Sequence, residues 1–320
     1  MQSDLEKALH SARDTRALKT GPDMLHEFPA FFREQFPHRK AIVVCDQITW
    51  EIAGKEVFQD LRTHGLNGTD PFIFPEKRPY AEFRNVLILD EALKGNDFIP
   101  VAVGSGTIND LTKLSSFRNN RPYLCIATAA SMDGYTAYGA SISFEGNKQT
   151  FSCPAPQAVF ADISIIREAP ALMTASGYAD LFAKVTAGAD WILADALGIE
   201  PIDQLAWSIV QNGLKRALAD PKGAREGKEE AIMPLMDGLI LGGFAMQWMQ
   251  ASRPASGAEH QFSHLWNMEH HTYQGEMPSH GFQVGVATLA IAALYEKLLR
   301  SNGFSRNSHQ SVARQTHFPR

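Results

Sequence analysis

The sequence predicts an α/β domain followed by an all-α domain, with a cleft between them. Three observations carry this expectation. Short apolar runs rich in β-branched residues alternate with helix-length segments through the first half of the chain. From about residue 165 the apolar positions recur with helical spacing. Between the two, the stretch 140–162 holds strand-like pieces and then Pro154 and Pro156, which put the boundary between domains 1–156 and 157–320.

Taken in order, strands are expected at AIVVCD (41–46), NVLILD (85–90), FIPVAVGSG (98–106) and YLCIATAA (123–130). Apolar runs of this kind, joined by helix-length connections, imply a buried parallel sheet. The segments 55–65 and 107–117 have the spacing of amphipathic helices. Further helices are expected near 177–197, 203–219, 228–252, 257–270 and 281–302, with a frayed polar tail. Ligands of such α/β proteins sit at the carboxyl ends of the strands, here facing the helical domain.

Composition narrows the function class. The 320 residues are 44% hydrophobic and 20% charged, which excludes a largely disordered chain. Thirty Lys and Arg against 35 Asp and Glu give a net charge of −5 with no basic run, so no nucleic-acid partner is expected. Cys45, Cys125 and Cys153 are widely spaced and odd in number, which fits a reducing cytoplasm rather than a disulfide framework. The polar N-terminus does not read as a signal peptide. The stretch 231–249 approaches bilayer-spanning length with one charge, Asp237. Pro234, Asp237 and the Gly242-Gly243 pair favour a buried bundle helix, so no membrane span is expected.

Two loops at strand ends could carry chemistry. Gly104, Ser105, Gly106 and Thr107 follow a strand and open a helix, where small residues and helix N–H groups suit a pyrophosphate. The third glycine of the dinucleotide fingerprint is absent, with Asn109 in its place, and a tight strand–helix turn would use the same residues. Asp46, ending the first strand, could accept from an adenosine ribose or simply cap a helix. The loop Thr128–Thr136 packs small hydroxyl residues around Asp133, as a substrate-positioning acid or an Asx turn would require.

Five of the 11 histidines fall within 260–280. His260 and His264, at i and i+4, share a helix face, and imidazoles so placed can hold a metal or divide metal binding and proton transfer between them. Asp180 reads as lying early in an apolar helix, either as a third ligand or as compensation of the helix dipole. Lys184 stands one turn further along the same face, where it could serve an anionic substrate or only neutralise Asp180 or solvate the helix.

These pieces together resemble the family of sn-glycerol-1-phosphate dehydrogenases, within the iron-containing alcohol dehydrogenase, glycerol dehydrogenase and dehydroquinate synthase superfamily. The resemblance runs through GSGTINDLTK (104–113), ATAASMDGYT (127–136), AVFAD (158–162), SGYADLFAK (176–184), SGAEHQFSH (256–264) and SHGFQVGVATL (279–289), in family order. It implies a Rossmann-like domain followed by a helical one, the dehydroquinate synthase-like fold. It also implies one divalent metal (zinc, iron or nickel) on Asp180, His260 and His280, with His264 beside cofactor and substrate. NAD or NADP would lie on Gly104, Ser105, Gly106 and Thr107, with Asp46 and Thr128 nearby. Asp133 would orient polyol hydroxyls, and Lys184 would suit an anionic substrate.

The implied reaction is the interconversion of dihydroxyacetone phosphate and sn-glycerol 1-phosphate, a small-molecule polyol phosphate. Oxidation of free glycerol, a cyclising lyase and a silent binding protein are the alternatives, and homo-oligomerisation stays open. The sequence departs from the family pattern at Ala137, where serine is common, and at Phe282, where an acid usually follows the last His-Gly. Only 40 residues follow His280, so a short helical domain is expected.

Overall fold

The structure is a computed structural model that describes residues 4–300; the tail expected to fray lies outside the described residues. The N-terminal layers comprise α1 (Asp4–Ser11), β1 (Ala17–Gly21), α2 (Phe28–Gln35), β2 (Ala41–Cys45), α3 (Gln47–Thr49) and α4 (Lys55–Thr63). They continue through β3 (Phe72–Ile73), α5 (Phe83–Leu93), β4 (Ile99–Gly104), α6 (Gly106–Arg118) and β5 (Leu124–Ala127). A hairpin of β6 (Ala140–Phe144) and β7 (Asn147–Phe151) precedes β8 (Ala158–Asp162) and α7 (Ile163–Ile166).

Six strands form one parallel sheet in the order β1-β8-β5-β4-β2-β3. Alternate residues of β2 explain its two coverings. Ile42 and Val44 join a core with Val86, Leu89 and Leu93 of α5 and Ile108, Leu111 and Leu114 of α6. Ala41, Val43 and Cys45 join the opposite core with Phe28, Phe31 and Phe32 of α2 and Val57 and Leu61 of α4. Each face of a strand buried on both sides thus has its own helices. After β2 the chain adds β3 on one side and β4 on the other, and this reversal of direction opens a crevice at the carboxyl ends of β2 and β4.

Two expectations change here. NVLILD is not a strand but part of α5, because Val86, Leu89 and Leu93 are buried at helical spacing while Leu87 and Ile88 face outward. The sheet also continues past residue 156, since β8 pairs with both β1 and β5.

The helical region comprises α8 (Ala171–Phe182), α9 (Lys184–Ala196), α10 (Gln204–Ala217), α11 (Pro221–Arg225), α12 (Glu229–Met249), α13 (Ala258–Met268) and α14 (His280–Arg300). The single helix expected over 177–197 is divided at Ala183, so Asp180 lies in the last turn of α8 rather than near a positive helix end. Helix α12 is the central element, with Leu235, Leu239, Ile240 and Phe244 in the same core as α5 and α6. Both α12 and α14, each 21 residues, are long and apolar enough to cross a membrane by length and composition. In α12 two-thirds of that apolar stretch is buried inside the domain, as expected for a bundle helix. Helix α14 instead leaves Val286, Leu289 and Leu299 exposed.

Candidate active site

The strand–helix turn after β4 needs glycine at Gly104, where a Cβ would stand 2.6 Å from the Cβ of Ile108. This lack of side chain draws α6 tightly onto the strand end. Gly106 begins α6, and Ser105 makes no side-chain cap, so the amides of the first turn are left to a ligand. Thr128 is buried beside them and its N–H donates to the Gly104 carbonyl at 3.2 Å. Asp46 lies at the neighbouring strand end across the crevice. Its Oδ1 accepts from the N–H groups of Ile48 and Thr49 at 2.9 and 2.7 Å, in a capping box with Thr49. The capping role is therefore the one the geometry displays for Asp46.

The loop carrying Asp133 is fastened both to the sheet layer and to the helical region. On one side the buried Lys113 of α6 donates to the carbonyls of Gly134, Ala137 and Gly139 at 3.1, 2.9 and 2.9 Å. On the other, the Thr136 hydroxyl donates to the Ile240 carbonyl at 2.8 Å, and Gln247 Nε2 donates to the Thr136 carbonyl at 2.8 Å. Gly243 permits this approach, because a Cβ there would meet Thr136 Oγ1 at 2.2 Å. The Gly242-Gly243 pair of the apolar helix is thus where the loop lies down.

Asp180, His260 and His280 come from α8, α13 and the start of α14, and each offers a ligand atom within 4.8 Å of the others. His260 Nε2 is 3.8 Å from Asp180 Oδ1, against about 3.4 Å between ligand atoms around a tetrahedral ion. Small side-chain movements therefore close the set. The imidazoles are held from behind. His260 Nδ1 lies 2.8 Å from Glu259 Oε1, which also accepts from the Gly257 N–H at 2.6 Å, while the Thr186 hydroxyl donates to Oε2 at 2.8 Å. His280 Nδ1 lies 3.3 Å from the Ser263 hydroxyl, which donates to Gln283 Oε1 at 2.7 Å. A carboxylate behind an imidazole fixes its tautomer and leaves Nε2 free for a metal, so the donor set fits a divalent ion. Glu259, Thr186, Ser263 and Gln283 were absent from the sequence reading. Only the position of Glu259 next to His260 could have signalled one of them.

Lys184 takes the neutralising role rather than the anion-binding one. It is fully buried, and its ammonium lies 2.7 Å from both Asp180 Oδ1 and Asp133 Oδ2. It is enclosed by carboxylates rather than presented to an anion. Burial alone would raise the Asp180 carboxyl, yet Lys184, His280 and His260 outweigh it and hold the pKa at about 2. Burial and then the Asp180 charge raise Asp133, against the pull of Lys184. The Asp133 N–H also donates to Asp180 Oδ2 at 3.1 Å, joining the loop to the ligand cluster. His264 is exposed on α13 outside the three-residue cluster, and burial followed by the charges of His260 and Lys148 lowers its pKa. His270 and His271 are exposed and apart from the site.

The family model for iron-containing alcohol dehydrogenase matches residues 19–170. The chain is 33% identical over 289 residues to the glycerol-1-phosphate dehydrogenase (NAD(P)+) of Halalkalibacterium halodurans, covering 88% of this chain and 71% of that protein. The chain belongs to the glycerol-1-phosphate dehydrogenase family. The member from Bacillus velezensis is 34% identical, covering 80% of this chain and 66% of its own length. That from Pyrococcus furiosus is 35% identical, covering 79% and 71%. Among solved structures, the glycerol dehydrogenase of Schizosaccharomyces pombe superposes with a TM-score of 0.65 at 19% identity, covering 88% of this chain and 71% of that one. A 2-deoxy-scyllo-inosose synthase in complex with carbaglucose-6-phosphate, NAD+ and Co2+ gives 0.64 at 17% identity, covering 88% and 74%. These structural likenesses establish the family fold: a parallel sheet with flanking helices, followed by a helical region.

Proposed function

We propose that this family member is a metal-dependent, NAD(P)-linked dehydrogenase that interconverts dihydroxyacetone phosphate and sn-glycerol 1-phosphate. The observation that carries the reading is the convergence of Asp180, His260 and His280 beside Asp133, on a loop held by the same helix, α6, whose first turn faces the crevice. The activity of the relatives, glycerol-1-phosphate dehydrogenation, supplies the substrate.

When bound, a divalent metal supplies Lewis acidity at the reacting hydroxyl, and the nicotinamide accepts or supplies the hydride. The chain's own residues do the rest. The amides of Gly106 and Thr107 receive the pyrophosphate at the helix start. Lys184 neutralises Asp180 and Asp133 together, which keeps two adjacent carboxylates in the protein interior. Asp133 is half-buried, with Oδ2 held by Lys184 and Oδ1 left for a substrate hydroxyl. His264 is exposed on α13, with its pKa lowered by burial and by the charges of His260 and Lys148, and is placed to pass a proton to solvent. Two imidazoles and one carboxylate accept zinc, iron or nickel. The three buried, free cysteines fit a cytoplasmic setting.

The test is NADH- and NADPH-coupled turnover of dihydroxyacetone phosphate, dihydroxyacetone and glycerol, with each metal added back to metal-free protein. Preferred reduction of dihydroxyacetone phosphate to the sn-1 product supports the reading. Preference for free glycerol assigns the chain to unphosphorylated polyols. Nucleotide binding with no net oxidation or reduction of the nucleotide by any substrate overturns the dehydrogenase assignment.

A further inference from the structure

Building on that reading, we propose that Lys148, on the β6–β7 hairpin, is the residue that receives the substrate's phosphoryl group. The strand register sets where Lys148 points. Residues opposite one another in an antiparallel pair share a face, and alternate residues switch faces. Ala140, Ile142, Phe144, Gln149 and Phe151 therefore line one face. Its Ala140 and Ile142 are fully buried, and Phe151 packs on Phe83 and Phe144. Ser141, Ser143, Lys148 and Thr150 form the opposite, polar face.

That polar face belongs to the cleft. Strand β7 packs against α13, the helix that bears His260 and His264. The Lys148 ammonium lies close enough to Asp110 and Asp180, and to His264 and His280, for its charge and theirs to interact, although neither carboxylate comes within ion-pair distance of it. It remains exposed, and among the described residues it makes no ion pair. The other two lysines around the cleft are committed. Lys113 is buried against three carbonyls and Lys184 is held by two carboxylates. With a net charge of −5 over the chain and carboxylates at the base of the site, a dianionic substrate needs a local cation. Lys148 is the cation left with its donors free. It stands on the hairpin strand that packs against α13, and a phosphate held there would leave the hydroxyl end of a three-carbon substrate for Asp133. The two serine hydroxyls of the same face add donors beside it.

A charge-assisted contact of this kind is worth about ten- to hundredfold in affinity. The experiment uses the full chain, metal-loaded, as wild type, Lys148→Ala, Lys148→Glu and Lys148→Arg. It measures kcat/KM for dihydroxyacetone phosphate and dihydroxyacetone, and inhibition by inorganic phosphate. The expected result is that Lys148→Ala shrinks the wild-type preference for the phosphorylated substrate about ten- to hundredfold through KM and weakens phosphate inhibition in parallel. Lys148→Glu should shrink the preference further and Lys148→Arg restore most of it. If wild type prefers dihydroxyacetone phosphate and Lys148→Ala keeps the same preference and phosphate sensitivity, the assignment of Lys148 is overturned while the proposed activity stands. If wild type does not favour the phosphorylated substrate, the proposed activity fails and the assignment with it.

Discussion

Removing the carboxylate behind His260 should weaken metal binding by an amount that depends on how many contacts the replacement keeps. Glu259 is fully buried and receives three donors: the His260 ring and the Gly257 amide on Oε1, and the Thr186 hydroxyl on Oε2. In Glu259→Gln the amide oxygen can keep the first two. The new NH2 faces Thr186, whose hydroxyl already has the Ala183 carbonyl at 3.0 Å as an alternative acceptor. The shape survives and the negative charge is lost. The loss should lie at the lower end of the range for outer partners of metal-bound histidines, about tenfold or 1.4 kcal/mol. Glu259→Ala removes all three contacts and frees the ring, which argues for about a hundredfold loss, or roughly 2.7 kcal/mol. It also leaves the Gly257 N–H unpaired in the interior, at about 1–3 kcal/mol of stability. The assay is titration of metal-free protein with Zn2+ against a chromophoric chelator, with thermal melts in parallel. Should Glu259→Ala bind Zn2+ within twofold of wild type while His260→Ala binds weakly, the reasoning fails.

Three further outcomes follow from the same geometry. Lys184→Met leaves the Asp133 and Asp180 carboxylates facing one another in the interior, and urea denaturation should show a loss of about 3–5 kcal/mol; an unchanged midpoint would mean the ion triad contributes nothing. Gly106→Val places its Cβ 3.3 Å from Met132 and its methyls over the first turn of α6, so NADH binding followed by fluorescence should be abolished with Zn2+ affinity kept; loss of both together would reveal a structural turn instead. Burial raises the Asp237 carboxyl to about 6, and its Oδ1 has no partner. The folded chain then holds a proton that the unfolded chain, titrating near 3.9, has released, so stability falls as pH rises from about 4 to 6. Asp237→Asn escapes that fall and should be more stable than wild type at pH 8, by up to about 3 kcal/mol, with the gap closing towards pH 4.5. A gap that does not change with pH in denaturation midpoints refutes the assignment.

The parts legible in the sequence were those encoded by local pattern. The strands around 41–45, 99–104 and 124–127 are continuous apolar runs, and the helix beginning near Thr107 follows its glycines directly. NVLILD shows where that pattern is ambiguous: six residues suit a strand or a helix, and only partners spaced at Val86, Leu89 and Leu93 settle it. The candidate ligands Asp180, His260 and His280 come together only through resemblance to family motifs, since 80 and 20 residues separate them along the chain. What the sequence hid was direction. Nothing local says that Lys184 turns back onto Asp180 and across to Asp133, or that Glu259 turns inward while its neighbour His264 faces out. Those choices depend on the break at Ala183 and on α13 lying against α9 and α14, which are properties of packing.

The doubly fastened loop around Asp133 bears on how molecules enter and leave. Moving α12 away from α6 around this loop would tear the Thr136 hydroxyl from Ile240 and Gln247 from the loop, or strip Lys113 of its three carbonyls. Each buried group stranded in this way costs about 1–3 kcal/mol, and the lysine more. The loop therefore acts as a rivet rather than a hinge. Entry and exit that spare these bonds would leave the Asp133 loop in place. A reactant seated against Asp133 would then meet the same geometry from one turnover to the next.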